Sequence, residues 1–304
     1  MNAKYLISTT ISLALTAACY STASASPLPL LGSTAETFAV LAGAGITSSG
    51  ATTINGNVGS GPTNTIIGFP PATISGGGLT STVVAQQAQA DALTAYNFLA
   101  LQTPTLNLTG TDLGGLTLTP GVYNFSSSAF LTGTLTLDAQ GASNAVFIFE
   151  IGSTLTTANN SVVSVINGNS SEGVFWQVGS SATLGDSSLF MGNILANTSI
   201  TLDPFASIGC GRALAGINAV SGAATMANGN NVAINAGSSC VGGYGGGYQS
   251  TPTGGFQLIG GDIIAPPPVT VPEPPALPLL LGGALAVMAV ARRRNRPEAS
   301  SAPV

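Results

Sequence analysis

Serine and threonine alternate with apolar residues in six short stretches of this sequence, at 116–119, 131–137, 153–156, 181–184, 199–202 and, in degenerate form, 219–221. Alternation at period two reads as β-strand with one face buried and the other in water. With Thr117, Thr134, Thr156, Thr183, Thr201 and Ser221 as markers, successive steps are 17, 22, 27, 18 and 20 residues. Irregular steps near twenty predict stacked coils of a β-solenoid, with insertions pushed out at the corners. The outward side chains of such a stack form a grid of hydroxyls and methyls, about 4.7–4.9 Å apart between strands and about 6.6 Å apart along each strand. That is chemistry for recognising an extended surface, not for breaking a bond.

The remaining composition agrees. Charged residues make up 6% of the 304, against a usual share of about 25%. Between Ser26 and Val271 the one basic residue is Arg212, set against nine acids: Glu36, Asp91, Asp112, Asp138, Glu150, Glu172, Asp186, Asp203 and Asp262. A body with that balance cannot neutralise phosphates, which excludes nucleic acid as a partner. Histidine is absent, and the acids stand singly. Neither a base with a cation cluster nor a paired-carboxylate groove can be assembled, so no enzyme is expected. Asp186 and Asp203 are isolated and show no metal-ligand spacing, so neither metal nor cofactor is expected. Arg212 is expected to be a packing or pairing group.

The elements that hold the hydroxyls lie between two processing segments. Residues 1–25 have the form of a secretory signal: Lys4, an apolar run over 5–18, and Ala23-Ser24-Ala25 as the cleavage site. Lipid attachment at Cys19 is a weaker reading, because Thr16 stands where a lipobox prefers Leu. Export leaves Cys210 and Cys240, expected to pair as a disulfide across the last coils. The domain itself spans 28–240 and is long enough to bury a proper core. Its opening, 35–71, is strand and turn. A helix is expected over 83–101, capped by Thr82, closed by Pro104, and apolar along Val84, Ala88, Ala92, Ala95 and Leu99. The stripe is small enough for the helix to lie close against a sheet. The apolar strands 145–151 and 174–178 are expected to fill a narrow lumen with aromatic and branched side chains. Glu150 and Gln177 occupy matching places on them, as outward or corner groups.

Beyond the domain, 241–270 reads as a Gly/Pro-rich linker. Then come Val271, Pro272, Glu273 and Pro274, an apolar segment over 276–291, Arg292-Arg293-Arg294, and a tail at 297–304. The block 271–296 resembles the PEP-CTERM sorting signal of Gram-negative bacteria. That resemblance implies an exosortase-type sorting peptidase as a partner, transient membrane anchoring, and delivery to the cell surface or extracellular matrix. A plain membrane anchor is the alternative.

Within the domain, 31–43, Gly68-Phe69-Pro70-Pro71, Pro120-Gly121-Val122-Tyr123, Phe147-Ile148-Phe149-Glu150, Phe175-Trp176-Gln177-Val178-Gly179-Ser180, Gly192-Asn193-Ile194-Leu195-Ala196 and Gly211-Arg212-Ala213-Leu214-Ala215 together resemble the microbial ice-binding proteins. The resemblance implies a mainly β fold: a right-handed discontinuous β-helix of roughly triangular section, one long helix packed alongside, and amino-terminal strands completing the stack. It also implies a monomer that binds an ice crystal surface through one flat face. Glu150 stands where that family usually has Gln, and the cysteine pair is not a general feature of it.

The grid spacing is comparable to the water spacing of an ice surface. Methyl groups order a cage of water, hydroxyls anchor it, and a rigid scaffold avoids an ordering cost on binding. The ice-binding residues expected from the alternation are Thr132, Thr134, Thr154, Thr156, Ser181, Thr183, Ser199, Thr201, Ala219 and Ser221. The alternative is a structural or adhesive module of the cell surface or biofilm matrix, holding extracellular polysaccharide on the same face. Thr and Ser ladders stabilise any solenoid, whatever its ligand.

Overall fold

A computed structural model describes residues 30–218 except 81, 143 and 169–171, together with 223–226, 233–236, 248–250 and 256–258. The expected signal segment, the sorting block 271–296 with its apolar segment, and Cys240 lie outside the described residues. Among the described residues, no helix is long and apolar enough to cross a membrane. Inside the expected linker, Tyr248–Ser250 pairs antiparallel with Phe256–Leu258.

Each coil contributes strands to three faces, and all the pairing between coils is parallel. The first, called the front face, stacks Ala129–Leu131, Leu155–Thr157, Ala182–Leu184, Ile200–Leu202, Ala223–Met226, Gly45–Ser48 and Ile66–Ile67, in that order. A second face runs through Gly121–Phe125, Val146–Ile151 and Gly173–Val178. It continues through the later halves of Leu189–Ala196 and Ser207–Ala215 to Phe38–Ala42 and Asn57–Ser60. The third face carries Thr117–Leu118, Thr134–Asp138, Val162–Ile166, the earlier halves of those two long strands, Ala233–Asn235, Thr53–Asn55 and Thr73–Ser75.

Spatial order departs from chain order at one joint. Residues 38–75 form coils at one end of the stack, the chain then crosses to the other end, and 106–235 climbs back to meet them. At the meeting, Ala213 pairs with Val40, Thr225 with Thr47 and Ile234 with Ile54. Arg212 is buried beside this joint. Its Nε and Nη2 donate to the Glu36 carbonyl at 3.0 and 2.7 Å, and its Nη1 donates to Asn193 Oδ1 at 2.9 Å.

The crossing element is helix α2, Thr82–Leu99, after the short α1, Gly32–Ala35. It buries Ala85, Ala88, Ala92, Ala95, Tyr96 and Leu99. Ala85 takes the place expected for Val84, which is 42% exposed. The reason is close approach: a Cβ built on Gly59 or Gly61 would stand 3.2 Å from the Ala85 methyl, so only a small residue fits there. Thr82 is the first helical residue, and so the cap position falls on 81, outside the described residues. Asp91 ties α2 to α1, its Oδ2 accepting from the Thr34 N–H at 3.0 Å and the Ala35 N–H at 3.4 Å. These are amide groups that a first helical turn leaves unpaired.

The helix covers the second face, and its strands are therefore buried on both sides. Phe147, Phe149, Val174 and Trp176 point into the lumen, whereas Ile148, Phe175, Leu195, Leu214 and Leu41 point out against α2. Ile148 and Phe175 thus depart from the lumen position expected for them. A strand covered on both faces reads as a continuous apolar run, which hides the alternation. The lumen aromatics stack from coil to coil: Tyr123 on Phe149 at 5.4 Å and Phe149 on Trp176 at 3.9 Å between centroids. The Trp176 indole N–H donates to the Met191 carbonyl at 3.0 Å, as a buried indole requires.

Candidate functional site

The front strands Leu155–Thr157, Ala182–Leu184 and Ile200–Leu202 each set a threonine, facing out, between two buried residues. Exact register turns these centres into a straight row: Phe130, Thr156, Thr183, Thr201, Thr225, Thr47 and Ile67. Two residues before each centre runs a second row, with Ser128, Thr154, Ser181 and Ser199, and then Ala223 paired with Gly45. The two rows differ in hydrogen bonding. In the second, Thr154 Oγ1 donates to Ser128 Oγ at 2.8 Å, and the Ser181 and Ser199 hydroxyls bond each other at 2.9 Å. In the first, the hydroxyls of Thr47, Thr156, Thr183 and Thr201 have no partner among the described residues. One row is locked by its own pairing, and the other presents open hydroxyls beside fixed methyls.

The strands of this sheet hold no charged residue. Asp186 and Asp203 stand at the corner that follows it. Asp112 bridges in parallel to Phe130 at the end of the row, and its carboxylate is turned toward the corner. There it accepts from the Gly114 N–H at 2.7 Å, the Thr132 N–H at 3.0 Å and the Thr132 hydroxyl at 2.8 Å.

Of the residues expected on the grid, Thr154, Thr156, Ser181, Thr183, Ser199 and Thr201 lie together on this face. Thr132 and Thr134 do not. In their coil the front strand is Ala129–Leu131 and its centre is Phe130, and the chain turns at Gly133 with φ +85°. Thr132 is consequently a corner residue, and Thr134 opens the next strand, beside Val162 on the third face. Alternation that runs unbroken through a corner conceals the change of face. Thr117 lies on the third face as well, in register with Thr136. Ala219 and Ser221 are outside the described residues, and the place beside Thr201 is taken by Thr225. Ser128, Thr225 and Thr47 belong to the face and were not among the residues expected. Ile46-Thr47-Ser48 repeats the apolar–Thr signal of Ile200-Thr201-Leu202, but its neighbour in the row, Thr225, lies far along the chain.

Glu150 and Gln177 point outward on the second face in register with each other and with Asn124. Both are buried. Asn124 Nδ2 donates to Glu150 Oε2 at 3.2 Å, while Oε1 is buried without a partner among the described residues, and burial pushes this carboxyl above its ordinary range. Among the described residues no group of three or more Asp, Glu, Cys or His is placed to hold a metal. Cys210 is disulfide-bonded, and its expected partner Cys240 lies outside the described residues.

A three-faced parallel solenoid with one flat, uncharged hydroxyl face defines a class of scaffold that meets surfaces. The chain belongs to the ice-binding-like family, whose description matches residues 40–239. It is 56% identical over 198 residues to an ice-binding protein of Nostoc sp. (strain HG1), covering 65% of this chain and 73% of that one. The crystal structure of an ice-binding protein from the Antarctic ascomycete Antarctomyces psychrotrophicus is similar at a TM-score of 0.60 and 36% identity, over 69% of this chain and 99% of that one. That of an ice-binding protein from an Antarctic biological consortium gives the same two values over 76% and 96%.

The Glu150 geometry carries a pH prediction. A carboxyl raised by folding keeps its proton in the native state over a window where the unfolded chain has already released it. Stability therefore falls as pH rises from the ordinary glutamate range to the raised value, and stays lower above it. Glu150→Gln retains the shape and removes the charge. Its melting midpoint, followed by Trp176 fluorescence, is expected above wild type at pH 7 and level with it near pH about 3.5, below the ordinary range. A lower midpoint at pH 7 would contradict this account of the site.

Proposed function

We propose that this protein adsorbs to ice through its front face and has no enzymatic activity. The observation that carries the reading is the in-register threonine row: open hydroxyls, methyls fixed by the strands, and no charge on the sheet. Water over such a row meets donors and methyls repeating at about 4.7–4.9 Å, with the locked second row about 6.6 Å away. Those distances fall near the spacings of water in ice. Charged groups would hold hydration shells of another geometry, and the sheet has none. β-branched side chains have few rotamers, so little entropy is lost when the surface meets a solid. The ice-binding relatives support the same reading. Thr154, Thr156, Ser181, Thr183, Ser199 and Thr201 form the contact, with Ser128, Thr225 and Thr47 joining them.

For its cellular context we infer export through residues 1–25 and sorting through Val271, Pro272, Glu273 and Pro274 by an exosortase-type peptidase. The destination is the surface or matrix of a Gram-negative cell. This rests on the order of motif, apolar run and arginine cluster in the sequence. A matrix module without ice activity is the competing reading, and the sorting motif favours its setting equally.

Thr183→Tyr and Thr201→Tyr each place a ring inside the row. Thermal hysteresis of each variant is expected to fall below about a fifth of wild type, since a protruding ring prevents flush contact. Thr136→Tyr, on the third face, is expected to leave it unchanged. A folded wild type without hysteresis or recrystallisation inhibition would remove the ice reading and leave the matrix module. For the sorting proposal, mass spectrometry of the protein from its own cells is expected to lack peptides from 276–291. Recovery of an intact carboxyl terminus there would refute processing.

A further inference from the structure

The row of threonines is bracketed. Its first position is Phe130 and its last is Ile67, both held by the same parallel register as the threonines between them. They are 53% and 57% exposed, whereas Thr156, Thr183 and Thr201 are half-buried among their neighbours. A phenylalanine ring reaches roughly 3 Å further from the backbone than a threonine hydroxyl, a distance set by the extra bonds in the side chain. A plane resting on the ring therefore stands clear of the Thr156 hydroxyl beside it. Phe130 also separates that threonine from Asp112, the carboxylate in register on its other side. Ile67 ends the row with a branched side chain that has no hydroxyl.

Resting on the adsorption reading above, we propose that Phe130 and Ile67 set the length of the ice-contact row. Phe130 holds its own end off the surface, so the working contact runs from Thr183 to Thr47, with Thr156 partly engaged. The exposed ring is the dominant limit, because it is the larger of the two side chains. The face as folded offers seven in-register positions and uses fewer of them.

The test compares the full chain with Phe130→Thr, Ile67→Thr and the double variant by thermal hysteresis, with melting midpoints measured in parallel. Both positions are exposed, so the midpoints are expected to change little. Phe130→Thr is expected to raise hysteresis about 1.5-fold or more, because a non-directional surface contact strengthens with contact area. Ile67→Thr is expected to give a smaller rise, and the double variant the largest. If the wild type is active and Phe130→Thr is folded but equal to it or weaker, the proposal fails and the adsorption reading stands, with the ring itself part of the contact or neutral. Should Phe130→Thr not fold, Ile67→Thr decides in the same way. If wild type and variants are all inactive, the reading and the proposal fail together.

Discussion

Everything about this molecule depends on the register of parallel strands from one coil to the next. Each backbone N–H reaches the coil beside it, which fixes both the distance between coils and the row in which each side chain stands. The register continues across a joint where the chain itself is not continuous. There the strand at 211–215 meets the one at 38–42, and the guanidinium of Arg212 bonds the Glu36 carbonyl on one side and Asn193 on the other. Burial lowers the affinity of this group for its proton, while the nearby Glu36 carboxylate offsets part of that loss. Leaving a buried polar group without its partner costs about 1–3 kcal/mol and more for a charged one, so the lone basic residue of 28–240 is well placed to hold the two parts of the stack in line. Thr47 and Thr225 are in one row with Thr201 because this joint is closed.

The three faces divide the work. The second face spends its outward side chains on α2, whose alanines and the facing glycines allow a close fit. The lumen is filled by stacked rings, which leave little freedom for one coil to slide over the next. The front face is thereby left with small side chains on a backing that does not yield. Ser128 bonds Thr154 and Ser181 bonds Ser199, while the hydroxyls of Thr47, Thr156, Thr183 and Thr201 have no partner among the described residues. A rigid, uncharged surface of that kind is poorly suited to a small ligand, which needs concavity, and well suited to a solid.

Much of this was legible in the sequence. Period-two alternation with turns near every twenty residues points to the solenoid, and the spacing of small residues from Ala88 to Leu99 marks the helix. Thr156, Thr183 and Thr201 sit in strands bounded by clear turns, so their face could be read. Thr132 and Thr134 were expected on that face and lie off it, because the hydroxyl pattern runs through the corner at Gly133 while the backbone changes direction. Thr47 and Thr225 depend on a pairing between segments far apart in the chain, and local pattern does not reveal that. Val84 and Ala85 differ only in how near a glycine backbone comes. Register and close approach are properties of the assembled stack, not of any one stretch.

The account claims that the front face, and no other, meets ice. The most direct measurement is adsorption of fluorescently labelled protein to a growing ice hemisphere, comparing a lysine placed on each of two faces. Thr183→Lys puts a charge within the row, and Ser164→Lys puts the same charge on the third face. The account predicts that Thr183→Lys abolishes adsorption while Ser164→Lys binds like wild type. Loss with Ser164→Lys and retention with Thr183→Lys would contradict it.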